Sequence, residues 1–111
     1  MFGWGVKTIT TEELADKIKA GKVVLIDVRE PSEFAGGRVP GAVNIPLGQL
    51  RDRASKLDAT AETFLICASG NRSLRAATSL AAAGIDAVSV AGGTSAWQSA
   101  GRPIVVGAKV A

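Results

Sequence analysis

The chain has no histidine, no tyrosine and a single cysteine, Cys67, in 111 residues. Each scarcity excludes some chemistry. One cysteine cannot close a disulfide within the chain, and a Cys/His zinc site needs three or four such ligands. Ser-His-Asp and Cys-His nucleophile–base arrangements are excluded as well. An enzyme of this composition works without imidazole and without a His-ligated metal. Aromatic residues are few: Phe2, Trp4, Phe34, Phe64 and Trp97. Long apolar runs are missing too. Val23-Val24-Leu25-Ile26 and Phe64-Leu65-Ile66-Cys67 fall far short of the ~20 residues that span a bilayer. The segment Met1–Lys7 lacks the basic stretch and long apolar core of a secretory signal. No membrane partner is expected. An unpaired cysteine suits a reducing compartment, so the expected location is the cytoplasm.

Charge of one sign is also scarce. Thirteen basic residues against ten acidic ones leave a net charge of +3. The densest basic stretch, Arg51-Asp52-Arg53-Ala54-Ser55-Lys56, is interrupted by Asp52 and followed by Asp58, which reads as a solvated face. Nucleic-acid binding calls for a one-sided basic patch with aromatics for stacking, so no nucleic-acid partner is expected. What the chain does have is a folding composition, 47% hydrophobic and 21% charged. Its length fits one domain over residues 1–111, large enough to bury a core without staples.

The pattern along the chain alternates. Thr10-Thr11-Glu12-Glu13 is a capping box and predicts a helix over Thr11–Ala20 with Leu14 and Ile18 on its apolar side, stopped by Gly21. Val23 to Ile26 reads as a strand covered on both faces, ending at Asp27. A short helical turn at Glu33-Phe34 is ended by Gly36 and Gly37. A strand over Ala42–Ile45 and a helix over about Gly48–Lys56 follow. Thr63–Cys67 is another buried strand. Leu74, Ala77, Leu80 and Ala81 then recur at helical spacing, with Ser73 as the expected N-cap and Gly84 as the stop. Ile85 is placed to fold back onto the last turn of that helix. Ala87–Val90 is a last strand, and Gly92-Gly93-Thr94 leads into a final helix carrying Trp97. Strands alternating with helices predict an α/β sandwich with a mostly parallel central sheet. Ligands bind beyond the carboxyl ends of such strands, where Asp27-Val28-Arg29, Cys67 and Gly92-Gly93 all fall.

A lone cysteine at a strand end is most often a small buried hydrophobe. The residues after Cys67 argue for more. Ser69, Gly70 and Asn71 tolerate tight or left-handed backbone, and the loop feeds a helix N-terminus. Successive amides in such a loop form an anion-binding nest. Amide donors, the helix dipole and a guanidinium lower a cysteine pKa from ~8.5 into roughly the 3.5–7.5 range. Arg72 is the candidate cation. A chain without histidine can make a neutral-pH nucleophile in this way.

Cys67-Ala68-Ser69-Gly70-Asn71-Arg72-Ser73 resembles the active-site loop of the rhodanese (sulfurtransferase) family. Leu25-Ile26-Asp27-Val28-Arg29-Glu30 with Glu33-Phe34 resembles the family's first signature, and Gly37 to Pro46 its second. Val90-Ala91-Gly92-Gly93, Trp97 and Gly101-Arg102-Pro103 resemble its C-terminal segment. The resemblance covers about residues 8–104. It implies a three-layer sandwich with about five strands. It also implies transfer of a sulfane sulfur from thiosulfate or another persulfide donor to cyanide or a thiol, through a Cys67 persulfide. That chemistry needs no cofactor and no metal. Partners would be the small donor and acceptor, and possible relay proteins that carry sulfur. Within it, Ala68, Ser69, Gly70, Asn71, Arg72 and Ser73 would bind substrate, with Arg72 closing the loop and bonding its carbonyls. Two positions depart from the family pattern. Arg38 stands where relatives have His, which bears on packing or on charge near the site. Ala68 stands where a basic or amide side chain is common, which removes a contact to an anionic donor.

Two other readings stay open. Phosphatases of the same fold have five residues between Cys and Arg, where this chain has Ala68, Ser69, Gly70 and Asn71; the shorter ring favours sulfur over phosphate. A non-catalytic binding module is the other, although such members typically lose the cysteine. The remaining motifs have structural readings. Asp27 and Arg29 are expected to form a bond network supporting the site. Glu30 and Glu33 are expected at the surface or at a helix start, Asn44 on backbone groups beside a strand end, and Trp97 in the core.

Overall fold

The computed structural model describes residues 6–21, 23–53, 56–57 and 61–108. The element order is β1 (Lys7–Ile9), α1 (Thr11–Ala20), β2 (Val23–Asp27), α2 (Pro31–Ala35), β3 (Val43–Asn44), α3 (Leu47–Arg53), β4 (Glu62–Ile66), α4 (Asn71–Ala82), β5 (Val88–Val90) and α5 (Gly93–Ser99). The five strands form one parallel sheet in the order β1-β5-β4-β2-β3.

Alternation along the strands sorts the core into two layers. Ile26, Leu65 and Cys67 face Leu50 of α3 and Ala76, Ala77 and Leu80 of α4. Their neighbours Leu25, Phe64, Ile66 and Val90 face Leu14 of α1, Phe34 of α2 and Trp97 of α5. This two-sided burial explains why β2 and β4 read as continuous apolar runs. Helices on both faces of a parallel sheet complete the three layers that the resemblance implied.

The helix caps follow local chemistry. Thr10 Oγ1 accepts from the Glu13 amide at 3.0 Å, and Glu13 Oε1 accepts from the Thr10 amide at 2.8 Å. This capping box opens α1 at Thr11 as expected. The fold-back at the end of α4 is also present, with the Ile85 amide donating to the Leu80 carbonyl at 2.9 Å. The helix expected over residues 48–56 is α3, over Leu47–Arg53, and residues 54 and 55 lie outside the described ones. One strand was not anticipated. Lys7–Ile9 pairs with Val88–Val90 at the sheet edge, where its outer side is solvated and shows no apolar run.

The connectivity positions the site. From β2 the chain steps outward to β3, then returns to β4 on the other side of β2 and continues to β5. The direction reverses between β2 and β4, and a crevice opens beyond the carboxyl ends of strands at such a point. Asp27 ends β2, Cys67 follows β4, and Gly92 follows β5.

Candidate active site

The backbone at the end of β4 turns sharply around the Cys67 side chain. Gly70 makes the turn at φ +110°, a left-handed conformation natural to glycine. Gly70 is also the N-cap of α4. The expectation that Ser73 caps this helix is corrected. The helix begins earlier, at Asn71, so Ser73 lies within its first turn. Ser73 is fully buried, and its hydroxyl faces the sulfur instead of serving a cap.

Cys67 Sγ is the focus of this turn. The Gly70 amide donates to it at 3.1 Å and the Ser73 amide at 3.4 Å, while Ser73 Oγ lies 3.6 Å away. Burial is the largest single influence on the thiol and disfavours its charged form. The Ser73 hydroxyl and the amides of Ser73, Gly70 and Ser69 together outweigh it and hold the thiol below its ordinary value. Cys67 is 1% exposed, whereas Ser69 and Asn71 in the same loop reach solvent. A buried cysteine and an amide nest are thus one arrangement: a buried sulfur among inward-pointing amides.

The loop is fastened from behind by α5. The Thr94 amide donates to the Cys67 carbonyl at 2.8 Å, and the Ser95 amide to the Ala68 carbonyl at 2.9 Å. Gly93 permits this approach. A Cβ there would overlap the Cys67 carbonyl oxygen and come within 2.7 Å of the Ala68 oxygen, at φ +57°. Gly93→Ala combines overpacking with a left-handed non-glycine residue, so it is expected to cost about 3 kcal/mol. Denaturant titration measures that loss, and an unchanged midpoint would contradict the packing.

Arg72 departs from its expected role. Its two terminal nitrogens donate end-on to Glu33 on α2, Nη1 to Oε1 at 2.7 Å and Nη2 to Oε2 at 2.8 Å. It therefore does not bond the loop carbonyls, and its charge acts on Cys67 only through space. Glu33 is a helix-start residue, as expected, since its Oε1 also accepts from the Glu30 amide at 3.1 Å. Its second duty, as the partner of Arg72, was missed. The Arg72 hydrogen bonds hold the Glu33 carboxyl down at about 2, against burial, which raises it. Glu33 in turn raises the Arg72 pKa. With side chains 32% and 36% exposed, the pair contributes below about 1 kcal/mol. Above pH 4.5 that contribution is fully present. It fades as pH falls toward 2, because the unfolded chain takes up the proton first. The stability difference between wild type and Glu33→Gln is therefore expected to shrink across that window in acid denaturation, and a constant difference would contradict it.

Asp27 and Arg29 form the expected bond network. Arg29 Nε and Nη2 clasp Asp27 at 2.9 and 2.7 Å, Asp27 Oδ1 accepts from the Arg29 amide at 3.1 Å, and Arg29 Nη2 donates to the Gly37 carbonyl at 2.8 Å. Asp27 is fully buried and Arg29 6% exposed. Asn44 Nδ2 gathers the carbonyls of Asp27 and Arg29 at 3.0 and 2.9 Å, the role foreseen for it. Arg38 is used for packing. Its guanidinium lies 4.4 Å from the Phe34 ring centroid and Nη1 donates to the Phe34 and Gly107 carbonyls, pinning the C-terminal segment to α2. Trp97 lies in the core, 5% exposed, with Nε1 bonded to the Pro103 carbonyl. Ser89 was missed altogether. It is buried in β5, its Oγ 2.8 Å from Ser73 Oγ. One polar residue between Val88 and Val90 was the available signal.

Fold and site define a class: a parallel α/β sandwich carrying a cysteine in an amide nest at the switch point of its sheet. The rhodanese-like domain family model matches residues 10–100, and the chain belongs to that family. It is 39% identical over 99 residues to YtwF of Bacillus subtilis, covering 88% of this chain and 96% of that protein. A sulfurtransferase of Allochromatium vinosum is 33% identical over 102 residues, covering 90% and 95%. Among solved structures, a rhodanese-related protein from Thermoplasma volcanium superposes with a TM-score of 0.82 at 36% identity, over 89% of this chain and 97% of that one. A thiosulfate sulfurtransferase from Pseudomonas aeruginosa gives 0.85 at 28% identity, over 92% of this chain and 20% of its own. No helix among the described residues is long and apolar enough to cross a membrane.

Proposed function

We propose that the protein, read as a single domain over residues 1–111, is a sulfurtransferase that carries a sulfane sulfur on Cys67. In the first half-reaction the thiolate attacks the outer sulfur of thiosulfate. The donor's S–S bond breaks, sulfite leaves with the electron pair, and Cys67 becomes a persulfide. With an organic persulfide as donor, a thiol leaves instead. In the second, cyanide or a thiol attacks the terminal sulfur and the Cys67 thiolate is restored. Cyanide yields thiocyanate and a thiol acceptor yields a new persulfide, so the protein undergoes no net redox change. This is covalent catalysis of the ping-pong type.

The observation that carries this reading is the convergence of the Gly70 and Ser73 amides on one sulfur, with the Ser73 hydroxyl beside it. Donors fixed in place before the charge arrives stabilise it without reorganisation. Ala68, Ser69, Asn71 and Arg72 frame the same cradle. The binding of Arg72 by Glu33 further favours sulfur transfer over a phosphatase, which would need that guanidinium on the phosphate. Asp27 and Arg29 support the floor of the site. The acceptor can be a small thiol or the thiol of a sulfur-relay protein.

A panel of thiosulfate and small persulfide donors, each paired with cyanide and read as thiocyanate, tests the reading. Turnover with at least one donor supports it. No turnover with any would sink it.

A further inference from the structure

The hydroxyl of Ser89 has one described partner, and that partner touches the nucleophile. Ser89 Oγ lies 2.8 Å from Ser73 Oγ, which lies 3.6 Å from Cys67 Sγ. Ser89 is 1% exposed and Ser73 fully buried, so water does not compete for these bonds. A lone hydroxyl in a buried strand is costly unless it is bonded.

The proton count around Ser73 has two solutions. With Cys67 as a thiol, S–H donates to Ser73 Oγ, and Ser73 donates to the Gly70 carbonyl at 3.1 Å. With Cys67 as a thiolate, the Ser73 proton turns to the sulfur. The Gly70 carbonyl is not orphaned by that turn, because the Leu74 amide still donates to it at 3.1 Å. Ser73 Oγ then lacks a donor, and Ser89 is placed to supply one. Each hydroxyl in such a chain polarises the next, strengthening the bond to the charged end by roughly 10–30%.

We propose that Ser89 is a positioning residue for the sulfur chemistry: it donates to Ser73 and thereby turns the Ser73 hydroxyl onto the anionic sulfur of Cys67. The proposal rests on Cys67 being the sulfur-carrying residue. The nearby charges are already committed, Arg72 to Glu33 and Arg29 to Asp27, which leaves the orientation of Ser73 to its neutral neighbours.

The test is a titration of thiolate absorbance, which needs no sulfur donor and so separates this proposal from the catalytic reading. With one cysteine and no tyrosine, the signal belongs to Cys67. Ser73→Ala is expected to raise the apparent pKa by about one pH unit, and Ser89→Ala by about 0.2. Ser89→Ala added to Ser73→Ala is expected to change nothing further, since Ser89 acts through Ser73. Ser89→Thr keeps the hydroxyl on a strand-compatible side chain and is expected to restore the wild-type value. A wild-type pKa in Ser89→Ala would overturn the proposal. So would an equal shift with and without Ser73, or a Ser89→Thr that behaves like Ser89→Ala while remaining folded by thermal melting.

Discussion

Cys67→Ser is expected to reduce sulfur transfer to the uncatalysed rate, a loss of roughly 10³-fold or more. The replacement exchanges sulfur for the smaller oxygen and keeps a polar group under the Gly70 and Ser73 amides, so the folded structure survives. A serine hydroxyl stays protonated at neutral pH, and oxygen in that position forms no persulfide. With no other cysteine in the chain, no second thiol can take over. Thiocyanate formation by folded wild type and variant decides the matter. Comparable rates would place the chemistry elsewhere.

Asp27→Ala is expected to be the most destabilising of the substitutions considered. It strips the partner from a guanidinium that is 6% exposed, and removing one member of a buried ion pair costs about 3–5 kcal/mol. That is a large share of the roughly 5–15 kcal/mol holding such a domain together. The melting temperature should fall by more than about 12 °C. The damage should reach the site, because Arg29 also holds the Gly37 carbonyl and Asn44 holds the carbonyls of both Asp27 and Arg29. Glu33, on the helix that follows, would then present Arg72 differently. Asp27→Asn keeps an acceptor for the Arg29 amide and should fall between wild type and Asp27→Ala. A melting temperature within about 4 °C of wild type for Asp27→Ala, a loss of under about 1 kcal/mol, would contradict this account of the pair.

Features set by neighbours in sequence were readable from the chain. Thr10 and Glu13 are three residues apart, and their reciprocal bonds mark the start of α1. The apolar run from Val23 marks β2 because both of its faces are covered. Cys67 and Gly70 are also three apart, so the turn that brings an amide to the sulfur is local. What was missed depends on distant partners. Glu33 and Arg72 are 39 positions apart and meet only because α2 and the α4 N-terminus lie at the same end of the sheet. Ser89 acquires a role only from Ser73 across the β5–α4 contact. Lys7–Ile9 becomes a strand because β5 offers it an edge. Ser73 was misread because its residue type suits a cap, whereas the left-handed Gly70 starts the helix earlier. Arg38 could be seen as a departure, but its cation–π contact with Phe34 depends on how α2 packs.

The central claim is that one sulfur atom rides on Cys67, and intact-protein mass measures it most directly. Wild type treated with a sulfur donor and freed of excess reagent should gain about 32 Da, one sulfur atom, as a persulfide. Cyanide should then return the mass to its starting value with release of thiocyanate, and Cys67→Ser should gain nothing at either stage. A wild-type protein that gains no mass with any donor, or a Cys67→Ser variant that gains the same mass, would contradict the account.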